Sequence, residues 1–161
     1  MLNVAQDPLL SLFTENWLAS CNCLFVTDKV TVNYFQNYQQ YFEWTWLAFS
    51  LAMDGHRIKA LNEKTFKYLD TPGSLSKSVE YDMAFEELAH SMLSKEPPKH
   101  IVKIIRKKLA SDYKDRALRE LSSRHFKLSL HYFYKCLILY RGYKYISTLR
   151  YFVFPASIAK K

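Results

Sequence analysis

Within residues 41–58, YFEWTWLAFSLAMDGHRI, one carboxylate, Glu43, stands beside Trp44 and Trp46 at the head of an apolar run that stops at Gly55. A carboxylate in the first turn of a helix can do two different things. It can accept the unpaired backbone N–H groups and offset the positive end of the helix dipole. It can also take a proton from a bound hydroxyl. The other chemically able groups are dispersed. Ser74-Leu75-Ser76-Lys77 fits S-x-x-K, yet neither Lys-Thr-Gly nor Ser-Asp-Asn occurs, so serine acylation lacks its partners. Glu87-Leu88-Ala89-His90 fits E-x-x-H without the second copy a di-iron bundle needs. His56, His90, His100, His125 and His131 show no metal-binding spacing, and the 3 glycines cannot build a phosphate-cradling loop.

The elements that must position Glu43 follow from periodicity. CNCLFVT (21–27) is short, β-rich and ended by Asp28-Lys29, which predicts a buried strand. Residues 30–41 are aromatic and amide-rich and read as a loop with a short helix. In 43–53 the broad apolar stripe of Trp46, Leu47, Phe49, Leu51 and Met53 predicts a helix, with Gly55 as its stop. The stretch 56–76 alternates around Asn62-Glu63, placing Ile58 and Ala60 on one strand and Phe66 and Tyr68 on the next, before the Thr71-Pro72-Gly73 turn. Helices are then expected at about 77–94, 98–122, 125–140 and 143–152, separated by Pro97-Pro98, Ser122-Ser123 and Gly142. Residues 1–20 show only a short apolar stretch, Leu9–Phe13.

A chain of 161 residues, 49% hydrophobic and 24% charged, suits one globular domain with a real core. The net charge of +8 is uneven: residues 1–55 carry one Lys against five Asp and Glu, whereas 56–161 carry 22 basic and 10 acidic residues. That basic part favours an anionic partner, whether membrane surface, nucleic acid or phosphorylated ligand. Lys103, Arg106, Lys107, Lys108, Lys114, Arg116, Arg119, Arg124 and Lys127 read as the solvated side of amphipathic helix, with Ile101, Ile104, Ile105 and Leu109 inward. No DNA- or RNA-binding motif accompanies them. The last segment mixes aromatics with spaced Lys and Arg, and Phe133, Tyr134 and Tyr145 are the expected apolar contacts of a surface-lying helix. Cys21, Cys23 and Cys136 lack disulfide-framework or zinc spacing and read as reduced thiols of a cytoplasmic protein. No signal peptide is apparent, and no apolar run reaches the roughly 20 residues of a membrane span.

From about Asn22 to Ser78 the chain resembles the acceptor-side half of family-2 glycosyltransferases, inverting enzymes of the GT-A fold. There a strand, here NCLFVT, leads through a variable loop into an acidic motif heading an apolar helix, with a glycine twelve residues after the Glu. Glu43 to Gly55 keeps that spacing. A hairpin follows in the family, ending in a Tyr-Arg-x-His-x-Gly-Ser-x-Ser-like pattern that corresponds here to Tyr68-Leu69-Asp70-Thr71-Pro72-Gly73-Ser74-Leu75-Ser76. GYKYISTLRYFV is similar to the helical C-termini of some bacterial members.

The resemblance implies an α+β, mainly α chain: a partial GT-A region over 1–78 with short strands and a hairpin, then a basic helical region over 79–161. It implies Glu43 as the catalytic position and Trp44, Tyr68, Ser74 and Ser76 as substrate-binding positions. A full enzyme would use a nucleotide sugar and a divalent metal to glycosylate a glycan acceptor. Three departures bear on activity. Trp44 replaces the family's usual base, Leu69 and Thr71 replace the hairpin's Arg and His, and no Asp-x-Asp motif or donor-binding half is present. The expectation is therefore a truncated or split transferase, inactive by itself. Its expected partners are a donor-binding half or a second copy, and an anionic membrane surface, with nucleic acid less favoured. The expected location is the cytoplasm, peripheral to the inner face of the membrane. The alternative is a non-enzymatic basic helical adaptor.

Overall fold

The computed structural model describes residues 4–15, 23–36, 39–59, 79–140 and 147. In chain order these form α1 (Pro8–Glu15), a 3-10 helix (Val32–Phe35), α2 (Glu43–Met53), α3 (Val79–Ser94), α4 (Lys99–Ser122) and α5 (Phe126–Leu139). Two compact units divide at Ile101/Val102, within α4.

In the first unit α2 is central and packs against α1, the 3-10 helix and α3. Its body is apolar nearly all round, and Trp46, Leu47, Ala48, Phe49, Leu51 and Ala52 are all buried. A helix so apolar on every side has no solvent face to offer, which is why it takes neighbours on several sides. Two sequence signals fix α1. Asp7 Oδ1 accepts the Leu10 N–H at 2.8 Å as an N-cap, and Pro8 occupies the first helical position, where no N–H is needed. At the other end of α2, Gly55 adopts φ +74°, His56 N–H donates to Leu51 O (3.0 Å) and Gly55 N–H to Ala52 O (3.2 Å). These two bonds satisfy carbonyls that the last turn would leave open, and glycine bears the left-handed angle without a Cβ clash.

The second unit holds most of α4 and all of α5. Along α4, Ile105, Leu109, Tyr113, Ala117 and Leu121 are buried at a spacing of four. Ser129 of α5 is buried and donates from Oγ to Ala117 O at 2.6 Å, so a small residue lets the two helices approach closely. Arg124 closes α4 in a left-handed turn (φ 64°), with His125 N–H donating to Glu120 O and Arg124 N–H to Leu121 O.

The expected α+β architecture is corrected: the described residues contain helices and no strand. Cys23–Val26 is irregular, and the chain turns at once, with Lys29 and Val30 N–H both donating to Val26 O. A strand exists only when its N–H and C=O groups meet a neighbouring strand, and β-rich composition cannot supply that neighbour. Most of the expected hairpin, including Tyr68, Ser74 and Ser76, lies outside the described residues, as do the boundary at 78 and the 143–152 helix apart from Ser147. No described helix is long and apolar enough to cross a membrane.

Candidate functional site

Glu43 is the first residue of α2, as its sequence position implies. Phe42 precedes it as N-cap with no side-chain hydrogen bond to offer. Glu43 Oε1 instead reaches back and accepts the Tyr41 N–H at 3.2 Å. Tyr41 stands at φ 70°, a left-handed angle that costs a residue with a Cβ, so the carboxylate steadies a strained turn. The turn is also clamped from outside. The buried Phe42 ring lies 4.5 Å from Tyr81 and 5.9 Å from Phe85 of α3, and Tyr41 lies 6.1 Å from Tyr81. Glu43 and Trp44 are half-buried. A carboxylate has about four lone-pair directions, so accepting one N–H leaves capacity for a hydroxyl proton.

The far end of α2 carries a second polar cluster. Tyr34 of the 3-10 helix donates its hydroxyl to Asp54 Oδ2 at 2.6 Å and lies 2.8 Å from His56 Nε2. With the phenol proton given to Asp54, the hydroxyl oxygen accepts from His56, which places that ring's proton on Nε2. The bond to Asp54, followed by burial and the Asp54 charge, holds the Tyr34 hydroxyl above its usual ionisation range. The 11 residues of α2 span about 16 Å at 1.5 Å per residue. Glu43 and this cluster therefore cannot serve one reacting centre. Among the described residues no group of three or more His, Cys, Asp or Glu could hold a metal ion.

The second unit has a different character. Arg116, expected among solvated cations, is 6% exposed and meets Asp112 at 2.8 Å one turn earlier. Its guanidinium lies 5.9 and 5.8 Å from the Tyr113 and Tyr132 ring centroids, and Lys135 approaches Tyr113 at 5.1 Å. This group packs α5 on α4 and offers no nucleophile. Cys136 is buried between the same helices, and burial pushes its thiol up to about 11. Outside, α5 exposes Phe126, Leu128, Leu130, Tyr134 and Ile138, while Phe133, expected on the contact face, is buried.

Sequence reasoning thus located Glu43 and Trp44 at the head of α2. It missed Tyr34, whose partners lie 20 and 22 residues away and whose local sequence carries no signal. Asp54 and His56 were legible only as the end of a helix. No protein-family model, curated protein or solved structure matches this chain.

Proposed function

We propose that the chain is the acceptor-side part of a split family-2 glycosyltransferase, inactive until a donor-binding part joins it. The observation that carries this reading is α2. It begins at Glu43, runs as a buried apolar helix to Met53 and turns off at Gly55, which is compatible with the Glu-to-glycine spacing on which the resemblance rests. In the complete reaction an acceptor hydroxyl oxygen bonds to the anomeric carbon as the bond to the nucleoside diphosphate breaks, and the hydroxyl proton passes to a carboxylate. Glu43 is this chain's candidate for that proton, since Trp44 occupies the family's usual base position. The departing diphosphate needs a divalent metal or cations, which the donor-binding part must supply. The setting is cytoplasmic, in keeping with the reduced, buried thiol of Cys136.

The test is release of nucleoside diphosphate from nucleotide sugars with a divalent metal. The chain alone should release none. Adding the polypeptide encoded directly upstream, if it bears parallel βα units and an Asp-x-Asp motif, should produce metal-dependent release. Turnover by the chain alone, lost in Glu43→Gln, would instead show a self-sufficient enzyme. A second reading, a helical adaptor with no catalytic role, is favoured by the charge partition between the units. Residues 1–101 sum to −4, while 102–161 carry 15 basic and 3 acidic residues, a net +12. Silence of the reconstituted pair would favour the adaptor.

A further inference from the structure

The outer face of α5 has no described neighbour that explains its composition. Phe126 is 55% exposed, Leu130 53%, Tyr134 65% and Ile138 59%. They recur every four residues, so they form one continuous row about 18 Å long that sweeps about 120° around the helix. The row begins beside the buried Phe133, about 20° from Phe126 on the helix, and turns away from the inward face of Ser129, Phe133 and Cys136. Lys127 falls within the arc of the row, and His131 lies at its edge. Leu128, 42% exposed, lies off this row, so four of the five exposed large apolar side chains of α5 share it, and an aligned set of that size is a contact surface.

Charge identifies the occupant. From Phe126 to the C-terminus there are seven Lys and Arg and no Asp or Glu, together with ten Phe and Tyr. We infer that the second unit lies on an anionic lipid bilayer, with Phe126, Leu130, Tyr134 and Ile138 of α5 entering the headgroup–acyl boundary and the exposed Arg124 and Lys127 beside them meeting lipid phosphates. An interfacial helix combines an apolar face with cations at its margin, and each part supplies what the other lacks: apolar transfer gives hold, charge gives selection for anionic lipid. A second copy fits less well, since two faces from units of net +12 repel. Nucleic acid fits the cations but not Leu130 and Ile138, which gain nothing from phosphates. At 14 residues α5 is about 21 Å long, short of the roughly 30 Å hydrocarbon core, so it lies on the surface and does not span.

This inference does not depend on transferase activity, and its test contains no nucleotide sugar, so either can fail alone. The full chain is sedimented with vesicles of phosphatidylcholine, with vesicles of phosphatidylcholine and phosphatidylserine, and with a DNA duplex, across a salt series. The expected result is binding to the anionic vesicles that weakens with salt. The triple variant Phe126→Ser, Leu130→Ser, Ile138→Ser keeps the net charge and changes only exposed positions, so its helix content and thermal midpoint should match the parent. Its partition onto anionic vesicles should fall by about tenfold or more, the factor that 1.4 kcal/mol represents. Lys127→Gln with Arg124→Gln should weaken anionic binding and flatten its salt dependence. Equal binding to neutral vesicles would overturn the lipid-charge argument. Preference for the duplex, unmoved by the triple variant, would assign the unit's positive charge to nucleic acid and overturn the proposal. Absence of binding to any of the three, or self-association relieved by the triple variant without vesicle binding, would likewise overturn the proposal.

Discussion

Replacing Glu43 separates its structural role from any chemical one. Glu43→Ala removes the acceptor that holds the Tyr41 N–H at 3.2 Å and the negative charge in the first turn of α2. The charge–dipole contribution at a partly exposed site is about 0.3–1 kcal/mol. A hydrogen bond to a charged group contributes about 1.5 kcal/mol, and the length of this one places it toward the lower end. The sum is a loss of about 2–2.5 kcal/mol. Glu43→Gln keeps an acceptor and loses only the charge, so about 0.5 kcal/mol is expected. Urea unfolding followed by tryptophan fluorescence reads the first unit selectively, because Trp17, Trp44 and Trp46 all fall within residues 1–101. With a slope of about 2 kcal/mol per molar urea, the Ala variant's midpoint should drop by roughly 1–1.25 M and the Gln variant's by about 0.25 M. An Ala variant as stable as the parent would refute the turn-holding role and leave proton transfer as the only use for this carboxylate.

Further tests address the rest of the molecule. Arg124→Gly relieves the left-handed turn after α4 (φ 64°) and should raise stability by about 0.5–1 kcal/mol, read as a higher thermal midpoint. Asp112→Ala should cost about 3–5 kcal/mol by stranding the buried Arg116 charge, whereas Asp112→Leu with Arg116→Met should lose far less, measured by urea unfolding of both variants. Cys136, its thiol raised from 9.0 to about 11, holds its proton more tightly folded than unfolded; the stability this contributes is complete below pH 9 and lost as pH rises through about 11. At pH 8 its thiolate fraction is about a hundredfold below that of an ordinary thiol, so mass spectrometry after iodoacetamide should find Cys136 unlabelled until urea unfolds the chain.

The helices from α2 onward were legible in the sequence because periodic apolar residues and punctuation agreed. Expected spans of 43–53, 77–94, 98–122 and 125–140 meet observed helices Glu43–Met53, Val79–Ser94, Lys99–Ser122 and Phe126–Leu139. The missed helix, α1, is 8 residues long, too short for its period to stand out, although Asp7-Pro8 carried its start signal. CNCLFVT failed for the opposite reason: its β-rich composition is local, while pairing is not, and no described strand lies beside it. On α5 an aromatic helix was legible, but its rotation was not. Phe and Tyr occur on several sides, so Phe133 was expected outside and is buried, while Phe126 and Ile138 face out. Arg116 was hidden similarly, since a lysine- and arginine-rich helix does not announce which cation will find a carboxylate and two aromatic rings. Of the site, Glu43 at the head of α2 was readable, because a first-turn acid and a glycine stop are local signals. Its bond to Tyr41 and the Tyr34–Asp54–His56 cluster depend on turns that only the folded chain defines.

The most direct measurement is nucleoside-diphosphate release by the chain, by the polypeptide encoded directly upstream, and by the two combined, with and without a divalent metal. Metal-dependent release confined to the combination, and lost with Glu43→Gln, is the expected result. A combination that releases no more than either polypeptide alone would contradict the split-transferase reading.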